Sequence, residues 1–272
     1  MKTFNQKLRE TIQQRNSLVC VGLDTRPDQM PAPLQGAKNA VVQFNHAIID
    51  ATAEYAAAYK PNLAFYEALG EVGYDTLKQT LLHIPEGILT VGDAKRGDIG
   101  TTAAKYAKAL HDLGFDSVTI NPYMGLDAVK PFIEDPEKGV FILCLTSNPS
   151  SKDLQYLQID GRPLYEHVAE KIASWNKNDN CGLVVGATHP EELQTIRSII
   201  GDLPILIPGI GAQGGDLEGA IQYGTNAKGE MALVNSSRGI LYASEGNDFA
   251  EAAAGEAKKL RDDINTIRKK KA

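Results

Sequence analysis

The sequence predicts an α/β fold, a closed (β/α)8 TIM barrel with an extra N-terminal helix, and two patterns carry that prediction. Eight short apolar runs recur, at 18–23, 56–60, 88–92, 117–121, 140–145, 182–186, 205–208 and 231–236. Helical periodicity fills the intervals, and strands alternating with helices argue for βαβ units and a parallel sheet. Eight such units favour a closed barrel over an open sheet, and one barrel typically takes about 250 residues. No Pro/Gly/Ser-rich linker or low-complexity segment divides the 272 residues, so 1–272 is read as one domain.

Residues 4–15 form the extra helix ahead of the first strand, which ends at Asp24. A helix over 40–55 returns the chain to the second strand, which ends at Lys60. The third run leads into Asp93 and Lys95 and is followed by a helix over 102–113, and the fourth ends at Asn121. The fifth reaches Thr146 and Ser147. Beyond it, 147–161 is the longest stretch without periodicity and therefore a candidate active-site loop ahead of the helix 164–175. Thr188 or His189 stands near the cap of a helix over 191–200, with Pro190 in its first turn, where the missing N–H is tolerated. The seventh strand ends at Pro208-Gly209 before a helix over 216–223, and the eighth at Ser237-Arg238 before the last outer helix, 247–269. In barrels of this kind function gathers at the carboxyl ends of the strands. Most of those ends here carry a charge or a hydroxyl.

The formal charge is −6, without the basic footprint of a nucleic-acid binder. A local Lys/Arg cluster can still hold a small anion. Cys20, Cys144 and Cys181 stand singly in apolar stretches and read as buried thiols, with no zinc or redox spacing. His46, His83, His111 and His167 read as packing or helix-surface residues, because no partner spacing singles them out. The first residues lack the apolar core of a signal peptide and no run has the length of a membrane span, so a cytoplasmic location is expected.

Chemistry concentrates after the third run, in Asp93-Ala94-Lys95-Arg96-Gly97-Asp98-Ile99-Gly100. Strand side chains alternate, so Asp93 and Lys95 share the face that points into the barrel mouth. Asp24 shares a face with Cys20 and Gly22, and Lys60 with Ala56 and Ala58, small neighbours that leave room for charged groups above them. The spacing Asp-x-Lys-x-x-Asp alone arises by chance in roughly one chain in twenty of this length. Its place at a strand end, one strand from Lys60, makes it far more specific. Interleaved carboxylates and ammonium groups keep the lysines protonated. That disfavours a Schiff-base lysine and suits an acid delivering a proton to a carbanion. No His-rich or Cys-rich cluster and no Gly-x-Gly-x-x-Gly after the first strand points to a metal or a dinucleotide, so cofactor-free proton chemistry is expected.

The opposite side carries a phosphate signal. Pro208-Gly209-Ile210-Gly211-Ala212-Gln213-Gly214-Gly215 follows the seventh strand and Asn235-Ser236-Ser237-Arg238-Gly239 closes the eighth. Barrels often bind phosphate with the loops after these two strands. Glycines let backbone N–H groups approach, and Arg238 adds a bidentate positive charge.

Together these residues resemble the signature of orotidine 5'-monophosphate (OMP) decarboxylases, most closely their longer bacterial subgroup. The resemblance extends over Gly22-Leu23-Asp24, Lys60-Pro61-Asn62, Asp93–Gly100 with Thr102, Thr146-Ser147-Asn148-Pro149, the 208–213 loop and Ser237-Arg238. It implies that Lys60, Asp93, Lys95 and Asp98 form a charged catalytic tetrad, with Lys95 protonating C6 of the pyrimidine and Asp93 beside the departing carboxylate. It implies that Asp24 and Lys60 contact the ribose, Ser147 the pyrimidine, and Gln213 and Arg238 the phosphate, with Pro208 and Ser237 in the same binding set. It further implies a homodimer in which Asp98, Ile99 and Thr102 reach the neighbouring subunit's site. Ser237 is a departure, since many relatives place glycine beside the arginine. Metal-dependent sugar-phosphate decarboxylases and aldolases share Asp-x-Lys-x-x-Asp, but the Arg96–Gly100 continuation and Lys60-Pro61-Asn62 favour the nucleotide enzyme. A non-catalytic nucleotide-binding barrel accounts for the phosphate loops and leaves the lysine–carboxylate cluster unexplained.

Overall fold

A computed structural model describes residues 1–188, 190–210 and 216–271. Eight parallel strands close in chain order: β1 (Val19–Gly22), β2 (Ala58–Lys60), β3 (Leu89–Arg96), β4 (Ser117–Ile120), β5 (Gly139–Leu145), β6 (Cys181–Val185), β7 (Ile205–Pro208) and β8 (Ala232–Ser236). The ring closes where Val19, Cys20 and Val21 of β1 pair with Val234, Asn235 and Ser236 of β8. The barrel expected from the eight apolar runs is therefore the one found. Its strands are buried almost throughout because helices cover the outside and side chains fill the inside, which explains their continuous apolar character.

The extra helix Phe4–Arg15 starts at Thr3, whose hydroxyl accepts the Gln6 N–H while the Gln6 side chain returns to the Thr3 N–H. It buries Phe4, Leu8 and Ile12 on one stripe. Phe4 meets Phe141 edge-on at 5.9 Å. A Cβ at Gly139, the first residue of β5, would lie 2.3 Å from the Phe4 ring, so glycine there admits the ring. The helix thus covers the end of the barrel remote from the polar strand ends.

Periodicity located the helices Ala40–Thr52, Gly100–Asp112, Leu164–Trp175, Pro190–Ile200, Leu217–Gly224 and Phe249–Lys271 to within a few residues. Pro190 begins its helix as the sequence suggests, whereas the alternative cap His189 lies outside the described residues. The outer helices Gly73–His83 and Leu126–Ile133 complete the ring, the second with Pro131 inside it, which obscures the helical pattern. His46 and His83 stack at 3.8 Å between two outer helices, and all three cysteines are buried. Arg197, largely buried, donates to the carbonyls of Gly201, Leu203, Gly224 and Met231, and burial brings its guanidinium down to about 10. It ties Pro190–Ile200 to the end of Leu217–Gly224 and to the approach to β8. Among the described residues no helix is long and apolar enough to cross a membrane.

One strand departs from a regular pleat. β3 carries Asp93 and Lys95, as the sequence suggests, and ends at Arg96. Its ladder to β4 passes from Gly92↔Val118 to Arg96↔Ile120, so Asp93, Ala94 and Lys95 face the single residue Thr119. This bulge supplies the site with its central charges.

Candidate active site

The carboxyl ends of β1, β2 and β3 bring four charges together. Lys60, 3% exposed, directs Nζ to Asp93 Oδ2 at 2.9 Å and lies 3.7 Å from Asp24 Oδ1. Lys95 Nζ donates to Asp93 Oδ1 at 2.6 Å, and the Thr119 hydroxyl donates to that same oxygen at 2.8 Å. Asp93 therefore accepts three donors. Burial raises the energy of its charged form, but Lys60 and Lys95 together outweigh that and hold its carboxyl well below the usual range. Burial likewise works against the Lys60 ammonium, and Asp93 and Asp24 overcome it, raising Lys60 above an ordinary lysine. Beneath them burial pushes the Cys20 thiol up to about 12, so the floor of the cluster is uncharged near neutrality.

Local structure fixes these ends. Leu23 N–H donates to the Lys60 carbonyl at 3.0 Å, and Asp93 N–H to the Pro61 carbonyl at 3.0 Å. The Tyr66 hydroxyl donates to the Leu23 carbonyl at 3.1 Å and receives the Asn45 amide, whose oxygen takes the Thr25 hydroxyl at 2.5 Å. Buried polar groups so connected hold one arrangement. Asp24 Oδ1 has no hydrogen-bond donor among the described residues, although it is buried.

Simple alternation placed Asp93 and Lys95 on one face, but the structure joins them differently. Lys95 has φ +47°, in the left-handed region, within the bulge. The pleat is broken, and the Lys95 side chain bends back onto Asp93 from a half-exposed position.

Across the mouth, the β5 end is clamped by Gln155, which accepts the Thr146 N–H and donates to its hydroxyl, both at 2.8 Å. This part of the candidate loop does border the site, while the rest forms a short turn, Pro149–Asp153, and a two-stranded ribbon, 158–163. After β7, Gly209 adopts φ +102°, a turn that glycine makes without strain. After β8, the Ser237 hydroxyl sits 1.9 Å from where a Cβ on Gly22 would lie, so glycine in β1 makes room for the serine. Ser237 itself has φ −112°, so it stays out of the left-handed region that favours glycine.

These ends surround one cavity of about 420 Å³, a size suited to a small molecule. Asp24, Lys60, Asp93, Lys95, Ser147, Pro208, Ser237 and Arg238 all line it. Asp98, Ile99 and Thr102 do not. Asp98 accepts the Ile99 N–H at 2.8 Å, Ile99 is 54% exposed, and Thr102 lies on the exposed outer surface. Within one chain the charged four are thus Asp24, Lys60, Asp93 and Lys95, because the bulge ends before Asp98 and the chain turns outward. Gln213 lies outside the described residues. The structure adds Asn62, Thr146, Asn148 and Asn235 to the lining and Thr119 beneath it. Thr119 was legible as a polar inward position, two after Ser117, in a short strand otherwise apolar. Asn235, whose Oδ1 has no donor among the described residues, opens the polar run that closes the eighth strand, but nothing in that run singled it out. Among the described residues no His, Cys, Asp or Glu side chains group to hold a metal ion.

Comparison with known proteins gives a consistent picture. The profile of a family described as orotidine 5'-phosphate decarboxylase / HUMPS matches residues 17–253. A protein of Dehalococcoides mccartyi named orotidine 5'-phosphate decarboxylase is 51% identical over 272 residues, covering 98% of this chain and 99% of its own. The structure of Leishmania donovani OMP decarboxylase superposes with a TM-score of 0.86 at 42% identity, over 98% of this chain and 99% of that one. That of Leishmania donovani UMP synthase gives 0.88 at 43% identity over 98% of this chain, which spans 57% of that longer protein.

Proposed function

The chain belongs to the orotidine 5'-phosphate decarboxylase family and is a carboxy-lyase, and we infer that it converts OMP to UMP and carbon dioxide with Lys95 as the proton donor. The observation that carries this reading is the Lys60–Asp93–Lys95 array at the floor of a cavity whose far side is the β7–β8 end with Arg238. The C6–carboxylate bond breaks with its electron pair left on C6, in the ring plane, where the ring carbonyls cannot readily delocalise it. Stabilisation then has to come from preorganised charge, and the Lys95 ammonium supplies it and delivers its proton to C6. No cofactor is required. Asp93 fixes the ammonium and lies beside the departing carboxylate. Asp24, with an oxygen still lacking a donor, and Lys60 suit the ribose hydroxyls; Ser147 suits the pyrimidine. Arg238, Pro208 and Ser237 suit the phosphate end, to which the family resemblance adds Gln213, and binding energy there, far from C6, helps hold the competent site.

The experiment is direct. Purified protein in EDTA should consume OMP, followed by its ultraviolet absorbance, at the rate seen without chelator. No consumption of OMP with or without chelator, beside Mg²⁺-dependent turnover of a sugar phosphate, would favour the metal-dependent sugar-phosphate chemistry instead.

We propose in addition that two copies share their sites. Asp98, Ile99 and Thr102 lie outside the cavity, and Ile99, Tyr123 and Met124 are large apolar side chains left exposed in a single chain. A homodimer burying this surface would carry Asp98 of one copy toward Lys95 of the other. Lys95→Ala and Asp98→Asn should each be inactive alone. Mixed after reversible dissociation, random pairing gives hybrids in which one site of two is native, returning about a quarter of native activity. No recovery, with hybrids shown to form by mass spectrometry, would refute shared sites.

A further inference from the structure

We propose that Thr119 is a positioning residue of the reaction, a buried hydroxyl that holds Asp93 and Lys95 in register with each other. It rests on the reading of Lys95 as proton donor. At the β3 bulge three residues face Thr119 alone, so the ladder loses backbone partners there. The Thr119 side chain replaces one. Its Oγ1 accepts the Lys95 backbone N–H at 3.0 Å and donates its own proton to Asp93 Oδ1 at 2.8 Å. Lys95 Nζ reaches that same carboxylate oxygen at 2.6 Å. One hydroxyl therefore ties the backbone of the acid to the carboxylate that orients its ammonium.

Thr119 is 1% exposed, so water cannot stand in for the hydroxyl. Its own backbone stays in register with Phe141 of β5, which anchors the hydroxyl to an undistorted strand. Lys95 is held at φ +47°, a conformation a lysine leaves unless its neighbours constrain it. Thr119 supplies that constraint from the side opposite the cavity, without lining the cavity itself. It acts through Asp93 and Lys95 and does not touch substrate.

Thr119→Val keeps the shape and removes the hydroxyl, whereas Thr119→Ser keeps the hydroxyl. Displacing reacting groups by about 1 Å can cost about 100-fold. Thr119→Val should therefore lower kcat about 10- to 100-fold while KM for OMP moves less than about threefold, and Thr119→Ser should stay within about threefold of native. Backbone hydrogen exchange supplies a readout independent of turnover. The Lys95 amide should exchange about tenfold faster in Thr119→Val and at the native rate in Thr119→Ser. Native kcat in Thr119→Val overturns the proposal, and so does an equal loss in the serine variant or a change confined to KM. If the native protein fails to turn over OMP, the decarboxylase reading falls, and the exchange rates still decide whether Thr119 holds Lys95.

Discussion

Lys95→Ala is expected to lower kcat by about 10⁵-fold while leaving the fold intact. A positioned general acid contributes about 10²–10⁴-fold, and a preorganised charge aimed at the developing carbanion about 10²–10³-fold. Lys95 supplies both from one ammonium group, and a water admitted by the truncation replaces neither in position. The fold should survive because the Lys95 side chain is half-exposed and Asp93 keeps Lys60 and Thr119 as donors. Turnover measured by absorbance, with circular dichroism and product affinity as controls, checks this. Activity within tenfold of native in a folded Lys95→Ala protein would remove Lys95 from the chemistry.

Lys60→Met should weaken both activity and stability, for a different reason. Lys60 is buried between two carboxylates, and among the described residues removing it leaves Asp93 ion-paired with Lys95 alone and Asp24 without an ion-pair partner. Breaking one partner out of a buried ion pair costs about 3–5 kcal/mol. In a chain of this size that is a fall of about 5–9 °C in melting temperature. Activity should drop by about 10³-fold, since the carboxylate that orients Lys95 loses its anchor. The sign of the pH dependence follows from the two shifts. Asp93 is held below the unfolded value of about 3.9, so its contribution is present above that pH and lost as pH falls. Lys60 is raised above about 10.4, so its contribution is present below that pH and lost as pH rises through the folded value. The gap between native and variant should be constant between about pH 5 and 9 and narrow near pH 4, where Asp93 of the variant can take up a proton. Thermal melts across this range test it. A gap under 2 °C, or one that widens with acid, contradicts the network.

Much of this was legible in the residues. Apolar runs separated by helical periodicity identify a barrel because burial on both faces leaves strands little polar freedom. Lys60, Asp93 and Lys95 were conspicuous because charge at the end of an apolar run requires a partner. The manner of their meeting was hidden. Alternation describes a regular pleat, and the bulge that puts Asp93, Ala94 and Lys95 opposite Thr119 depends on β4, which the local string does not contain. The outward turn of Asp98, Ile99 and Thr102 was implied only through family resemblance, since spacing cannot say where a strand ends. Ser237 illustrates the converse. A residue that departs from its relatives is accommodated by Gly22, more than two hundred positions away along the chain and adjacent in space.

The left-handed backbone at Lys95 also bears on how this protein can be improved. A non-glycine residue in that conformation costs about 1–2 kcal/mol relative to glycine, and asparagine tolerates it better than lysine. A library screened for heat resistance alone would therefore be drawn to Lys95→Gly and Lys95→Asn, robust proteins without a working acid. Thermal selection on this scaffold has to be coupled to turnover from its first round, because at this one position durability and reactivity pull in opposite directions.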